Sequence, residues 1–277
     1  MTTERFGFVF PVWLALAVLS LWCTSEVVEV ASSLQKPMKL VWHYYKVHNS
    51  CDDAEPYIRH QGCDASILLD GPDSEKIAPQ NRGLGGFVLI DKIKTVLEVR
   101  CLGAVSCAEP QEILFIWYQS ITTINFLRAG APSYPEFTGR RDGLTSTKAS
   151  VDLPSPSISW EASLAYFKSK GLDVLDMATL LGAHSMGRTH CGFIVDRLYN
   201  FNNTGKPDPM LTHEAVLEVD QQLLYGDDTK QITEEFAAGL EDFRRSFALS
   251  MSRMGNIEVL TGKQGEIRKN CRRTNKY

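Results

Sequence analysis

Positive charge is the first thing this sequence is short of. Lysine and arginine together number 29 against 33 aspartates and glutamates, for a net charge of -4 and a pI near 5.9. Without a basic excess, the electrostatic footprint of a nucleic-acid binder is missing. Histidine is scarce too: six residues, at 43, 48, 60, 184, 190 and 213. Imidazole-based metal or proton chemistry therefore has very few side chains to draw on.

What the chain does have is apolar mass and cysteine. At 277 residues and 44% hydrophobic it can bury one sizeable core or two thin ones. Phe6 to Cys23 is an apolar run preceded by Arg5 and followed by Ala31, Ser32 and Ser33. Residues 1–30 read as a signal peptide; a membrane anchor left uncleaved through residues 6–23 is the alternative. Seven cysteines lie at 23, 51, 63, 101, 107, 191 and 271. Cys23 would leave with the leader, and six cysteines in an exported chain point to a disulfide framework, for which the sequence alone permits fifteen full pairings.

The chain is organised around residues 172–200, LDVLDMATLLGAHSMGRTHCGFIVDRLYN. Val174, Leu175, Ala178, Thr179, Leu181 and Gly182 return at steps of three and four, which predicts a helix, and Asp173 and Asp176 sit at its start where they suit the dipole. His184 follows on the same apolar side. A histidine there is either a core or capping residue or a ligand, and a distant carboxylate that fixed its tautomer would make it a strong axial donor to iron.

The segment GAHSMGRTHC, with RLYNFNNTGKPDP behind it, resembles the haem-bearing segment of the secretory plant peroxidases (class III). So do GCDASILLDGPDSEKIAPQNRGLGGFVLIDKIKTVLE at 62–98, TGRRDGLTS at 138–146 and the tail MSRMGNIEVLTGKQGEIRKNCRRTN, in the family's order. The resemblance implies an all-α, haem-dependent peroxidase fold over residues 34–277, haem b, calcium, and hydrogen peroxide with small phenolic donors as substrates. It implies a secreted protein of the extracellular space or cell wall, monomeric and without an obligate protein partner. By resemblance His184 is the axial iron ligand, Asp220 accepts its second ring proton, and the Pro154 carbonyl lies at the haem edge where donors dock. A proline pair in a linker is the plainer reading of Pro154 and Pro156. The resemblance also pairs Cys51 with Cys101 and Cys107 with Cys271, and leaves Cys63 and Cys191 without the partners they have in the family.

Two segments of the family pattern are missing, so the fold is expected to be incomplete. After Gln61 the family's distal helix is absent, and with it the histidine that moves the peroxide proton and the arginine beside it; His43, His48 and His60 read as exposed or packing residues. Asn81 falls where the family orients that distal histidine. Gly62, Asp64, Ser66 and Glu75 match the distal calcium site, or else form a solvated turn; short oxygen donors followed by a second carboxylate suit calcium. Near His213 a second segment is missing, which leaves Ser185 alone from the proximal calcium site. Residues 110–128, PQEILFIWYQSITTINFLR, replace a family helix by aromatic and β-branched text. Since a positioned proton-transfer group is worth roughly 10²- to 10⁴-fold, weak or absent peroxidase activity is expected. A non-enzymatic secreted remnant, or an artefact of gene reading, is the alternative.

The remaining text is structural. After Gly85–Gly86, Phe87, Leu89, Ile90, Ile93, Val96 and Leu97 predict a helix of about fourteen residues with Lys92, Lys94 and Glu98 on its wet side. Residues 138–146, with Arg140, Arg141 and Asp142, are either a surface turn or carry a buried arginine paired with Glu109. Asn202-Asn203-Thr204 is a glycosylation sequon. Ile232, Phe236, Leu240, Phe243, Phe247, Met251 and Met254 predict a long C-terminal helix broken at Gly239 and stopped at Gly255.

Overall fold

The computed structural model describes residues 40–51, 64–82, 84–109, 137–185, 191–209 and 215–276. The predicted leader and anchor at residues 1–30, the junction at Gln61–Cys63 and the unusual segment 110–128 lie outside these, as does His213. Among the described residues no helix is long and apolar enough to cross a membrane.

The described architecture is predominantly helical, with one short ribbon in which β1 (Val41–Trp42) pairs antiparallel with β2 (Phe137–Thr138). A four-residue helix, α1 (Tyr44–Val47), follows β1. Helix α2 (Phe87–Arg100) starts at Gly86, whose φ of 84° is a left-handed conformation that glycine adopts without a Cβ penalty. Its buried side joins two small cores. One gathers Ala65, Leu68, Ile90, Cys107, Ala108 and Cys271; the other gathers Tyr45, Cys51, Leu97 and Val105.

The face of α2 differs from the expectation at three positions, Lys94, Leu89 and Val96. Lys94 is buried, not solvated: its ammonium donates to the Val105 carbonyl and pairs with Glu98 one turn on at 2.6 Å. Leu89 and Val96 are the exposed ones. A paired, hydrogen-bonded ammonium can sit where periodicity assigns a wet position, because the ladder of a helix says nothing about carbonyls on other segments.

Cys51 bonds to Cys101 and Cys107 to Cys271, at sequence separations of 50 and 164. Closing loops of those lengths stabilises the folded chain by about 4 and about 5 kcal/mol on the loop-entropy account. Beside the second bridge, Asp142 accepts hydrogen bonds from the amides of Cys107, Ala108 and Arg268 at 3.1, 2.8 and 2.7 Å. Arg140 is buried against Glu109, the buried alternative of the two. Glu109 accepts from the amides of Gly139 and Arg140 at 2.6 and 2.7 Å, from the Tyr45 hydroxyl at 3.2 Å and from the Arg140 guanidinium at 3.5 Å.

The second half is a helical bundle: α3 (Trp160–Ser169), α4 (Val174–Gly182), α5 (Val195–Tyr199), α6 (Glu218–Gln222), α7 (Asp227–Ala238) and α8 (Leu240–Met254). Helix α4 lies at the centre, packed by α3, α6, α7 and α8. Met177 and Ala178 meet Leu223 with Trp160, Leu164 and Ile232 around them, while Phe243 and Phe247 of α8 meet Ala183, Phe236 and Met251. Gly239, at φ -135° and ψ 86°, is the expected break between α7 and α8. The start of α4 is a reciprocal cap: Asp173 accepts from the Asp176 amide and Asp176 from the Asp173 amide, each at 2.9 Å. Asp176 is thereby buried and Leu175 exposed, so the inner face of α4 is turned from the one its apolar spacing suggests.

Candidate functional site

The last turn of α4 tightens into a 3-10 turn, Ala183–Ser185, which carries His184. What fixes the position of that turn is packing behind it. A Cβ on Gly182 would come within 2.9 Å of Cε2 of Phe243, so the close approach of α8 to the end of α4 depends on glycine at this position. The other end of α4 is anchored to α8 by polar contacts. Ser250 donates to Asp176 at 2.8 Å, and one guanidinium nitrogen of Arg253 lies 2.8 Å from both Asp173 and Asp176. Burial pushes the Asp176 carboxyl up; Asp173, despite its own burial, is held below the usual carboxylate range by Arg253 and the Asp176 amide.

His184 Nδ1 lies 2.7 Å from Asp220 Oδ1, across 36 residues of sequence. The ring is 34% exposed and the carboxylate 18%, so the pair lines an open face rather than a sealed core. With Nδ1 donating to Asp220, Nε2 is the basic nitrogen, and it has no hydrogen bond to a described residue. A neutral imidazole held in one tautomer by a carboxylate, with its other nitrogen open, is the donor that an iron centre takes. The residues present therefore fit axial ligation of haem iron.

Pro154 is half-buried, just before a turn in which the Ile158 amide donates to the Ser155 carbonyl and the Pro156 carbonyl accepts from the amide of Val219, the residue before Asp220, at 2.9 Å. The predicted donor-edge segment is thus tied to the helix that carries the predicted proximal carboxylate. Ser185 is exposed beside His184.

The predicted calcium residues form a separate cluster. Asp64 Oδ1 accepts from the Ser66 amide at 3.0 Å, and Glu75 accepts from the hydroxyls of Ser66 at 2.8 Å and Ser150 at 2.6 Å. Asn81 is buried and donates to the Glu75 carbonyl at 2.8 Å, which attaches it to this cluster. Gly62 lies outside the described residues. Among those described, no three His, Cys, Asp or Glu side chains come together as a metal site. A cation here would need Ser66 and backbone oxygens besides Asp64 and Glu75. Cys191 is an exposed free thiol, Cys63 lies outside the described residues, and Asn202 is exposed at φ 52°.

Sequence reasoning missed Arg197. It is buried with Asp208, at 2.7 Å, in the interior next to α6. Its only sequence signal is an arginine eleven residues from an aspartate flanked by Pro207 and Pro209.

Comparison with known proteins places the chain in a family. A family model described as peroxidase matches residues 22–215. The chain is 53% identical to probable peroxidase 61 of Arabidopsis thaliana, over 96% of this chain and 97% of that protein. It is 52% identical to probable peroxidase 26 of the same plant, over 91% and 94%. To the lignin-forming anionic peroxidase of Nicotiana tabacum it is 35% identical, over 77% and 79%. The chain belongs to the peroxidase family, in the secretory class of plants.

Proposed function

We propose that this chain is a secreted haem protein that oxidises small phenolic donors at the expense of hydrogen peroxide, and does so slowly. The observation that carries the reading is the His184–Asp220 pair at 2.7 Å with Nε2 open. Haem b, when bound, supplies the iron centre at which peroxide is reduced and from which donors are oxidised one electron at a time. His184 Nε2 would hold the iron, and Asp220 would keep the proton on Nδ1 and add electron density to the ring. The Pro154 carbonyl would accept a hydrogen bond from the donor's phenol.

Slow turnover follows from the proton side. No histidine of this chain matches the distal helix motif, so the proton of peroxide would pass through water rather than a placed base, at a loss of roughly 10²- to 10⁴-fold. Missing segments are supported by the alignment with probable peroxidase 61, which spans 338 positions against a chain of 277 residues. The same observation favours a second reading, a secreted remnant that holds haem without turnover. Calcium at Asp64, Ser66, Glu75 and Gly62 would bind weakly, and Ser185 alone would leave the proximal site empty. Two disulfides, the predicted leader at residues 1–30 and the exposed sequon at Asn202 support export. A monomer is expected, with no nucleic-acid or obligate protein partner.

Reconstitution with haem tests ligation: wild type should give a haem absorbance band and His184→Ala none, and an unaltered band in the variant would refute the assignment. Peroxide-dependent oxidation of a simple phenol by the loaded protein then separates the two readings. Slow but haem-dependent turnover supports the enzyme, and none at all supports the remnant.

A further inference from the structure

Asp220 stands on a helix with little stability of its own. Helix α6 has five residues, and its preceding residue Leu217 makes no side-chain cap. A helix of that length does not persist without tertiary support. On one side the support comes from α3 and its approach: Pro156 accepts from Val219, the Trp160 amide donates to Gln222 at 3.1 Å, and Leu223 enters the core with Met177. On the other side it comes from one guanidinium. Arg197 Nε donates to Asp208 at 2.7 Å, Nη1 to the carbonyls of Ala215 and Val216 at 2.8 Å each, and Nη2 to Gln221 Oε1 at 3.1 Å. Arg197, Asp208 and Gln221 are all buried.

We infer that Arg197 is a positioning residue for the His184–Asp220 pair, acting through Gln221 and through the chain on both sides of residues 210–214. The inference rests on the reading of His184 as the iron ligand only in its consequence for haem. The geometry sets the azimuth of α6. Neighbouring residues on a helix point about 100° apart, so pinning Gln221 to a buried guanidinium fixes the direction in which Asp220 extends. The two carbonyls fix the height at which the helix begins. A planar group with five donors can meet a carboxylate, two carbonyls and an amide oxygen together; a lysine ammonium cannot span them.

The test uses the haem-free chain first. The ring ¹⁵N shifts of His184, assigned by their loss in His184→Ala, report in mildly alkaline solution whether the proton sits on Nδ1. Wild type should show Nδ1–H. Arg197→Lys keeps a cation opposite Asp208 and should retain the fold by near-ultraviolet circular dichroism, yet move His184 toward the Nε2–H tautomer. Gln221→Met cuts only the link to α6 and should shift the tautomer in the same direction. In the loaded protein both variants should bind haem about tenfold more weakly, the lower end of losses found for residues that orient a metal ligand. Folded variants with wild-type ¹⁵N shifts would overturn the inference, and if Arg197→Lys does not fold, Gln221→Met decides. Failure of the wild type to take up haem would instead sink the ligand reading and leave the ¹⁵N comparison standing.

Discussion

Substituting Gly182→Ala tests the packing that sets the position of His184. The added methyl carbon would stand 2.9 Å from Cε2 and 3.6 Å from Cζ of Phe243. Phe243 cannot simply turn away, because its ring is buried between Phe236 at 5.3 Å and Phe247 at 6.1 Å. Overpacking of this kind costs about 1–3 kcal/mol. Replacing glycine by alanine inside a helix returns about 1 kcal/mol. The net expectation is a loss of about 0–2 kcal/mol, together with a displacement of the 3-10 turn that follows and of His184, two residues on. Two measurements separate these: urea unfolding of the haem-free chain, and haem affinity after reconstitution. Weaker haem binding with only a small loss in unfolding free energy is the expected pattern. The double variant Gly182→Ala with Phe243→Leu should recover haem affinity, because leucine vacates the ring edge, and the two changes should be strongly non-additive. A Gly182→Ala chain that is more stable by about 1 kcal/mol and binds haem as wild type does would refute the argument, since propensity alone would then account for it.

Asp220→Asn replaces the acceptor-only carboxylate that holds the His184 proton by a neutral amide, which can turn either its oxygen or its NH2 to the ring, and should weaken haem binding by about 10- to 100-fold, read by titration of the absorbance band; unchanged affinity would mean the carboxylate charge at the 2.7 Å contact is incidental. Tyr45 is buried, and burial first, then the charge of Glu109, raises its phenol well above the ordinary value near 10. Its contribution is therefore fully present below about pH 10 and is lost above it, where the unfolded chain ionises and the folded one does not. The stability advantage of wild type over Tyr45→Phe should shrink by about 1.4 kcal/mol per pH unit above about pH 10, and parallel unfolding curves would contradict the burial argument. Replacing Cys51 and Cys101 together by serine should cost about 4 kcal/mol in unfolding free energy, with the far-ultraviolet spectrum of the α3–α8 bundle retained; a loss under about 1 kcal/mol would show that the unfolded chain is already restricted there.

Local signals in the sequence carried the helices well and the side-chain environment less well. The start of α4 was legible because two aspartates suit the positive end of a helix dipole, though their capping of one another was not; the break at Gly239 was legible because glycine interrupts a three-four rhythm. Asp220 was found through resemblance, not pattern: nothing in the text between the two, 36 positions apart, ties it to His184. Lys94, Arg140 and Arg197 show where pattern reading stops. Each is a cation buried by partners far along the chain or on another segment, and hydropathy assigns such residues to solvent by default. Helical periodicity records which side of a helix is apolar on average. It does not record that Glu109, Asp208 or the Val105 carbonyl waits on the other side.

The Cys107–Cys271 bond makes a covalent ring of the chain between those two residues, and His184, Arg197, Asp208 and Asp220 all lie within it. The exposed turn at Thr204–Lys206 is part of the same ring. An extracellular protease that cut there would therefore linearise the ring without releasing a fragment. The two new ends would stay on one molecule, and the halves that bear the histidine and the aspartate would separate only after reduction. A nicked form should run as full length on a non-reducing gel, and its survival would depend on the redox state of its surroundings more than on the integrity of its backbone.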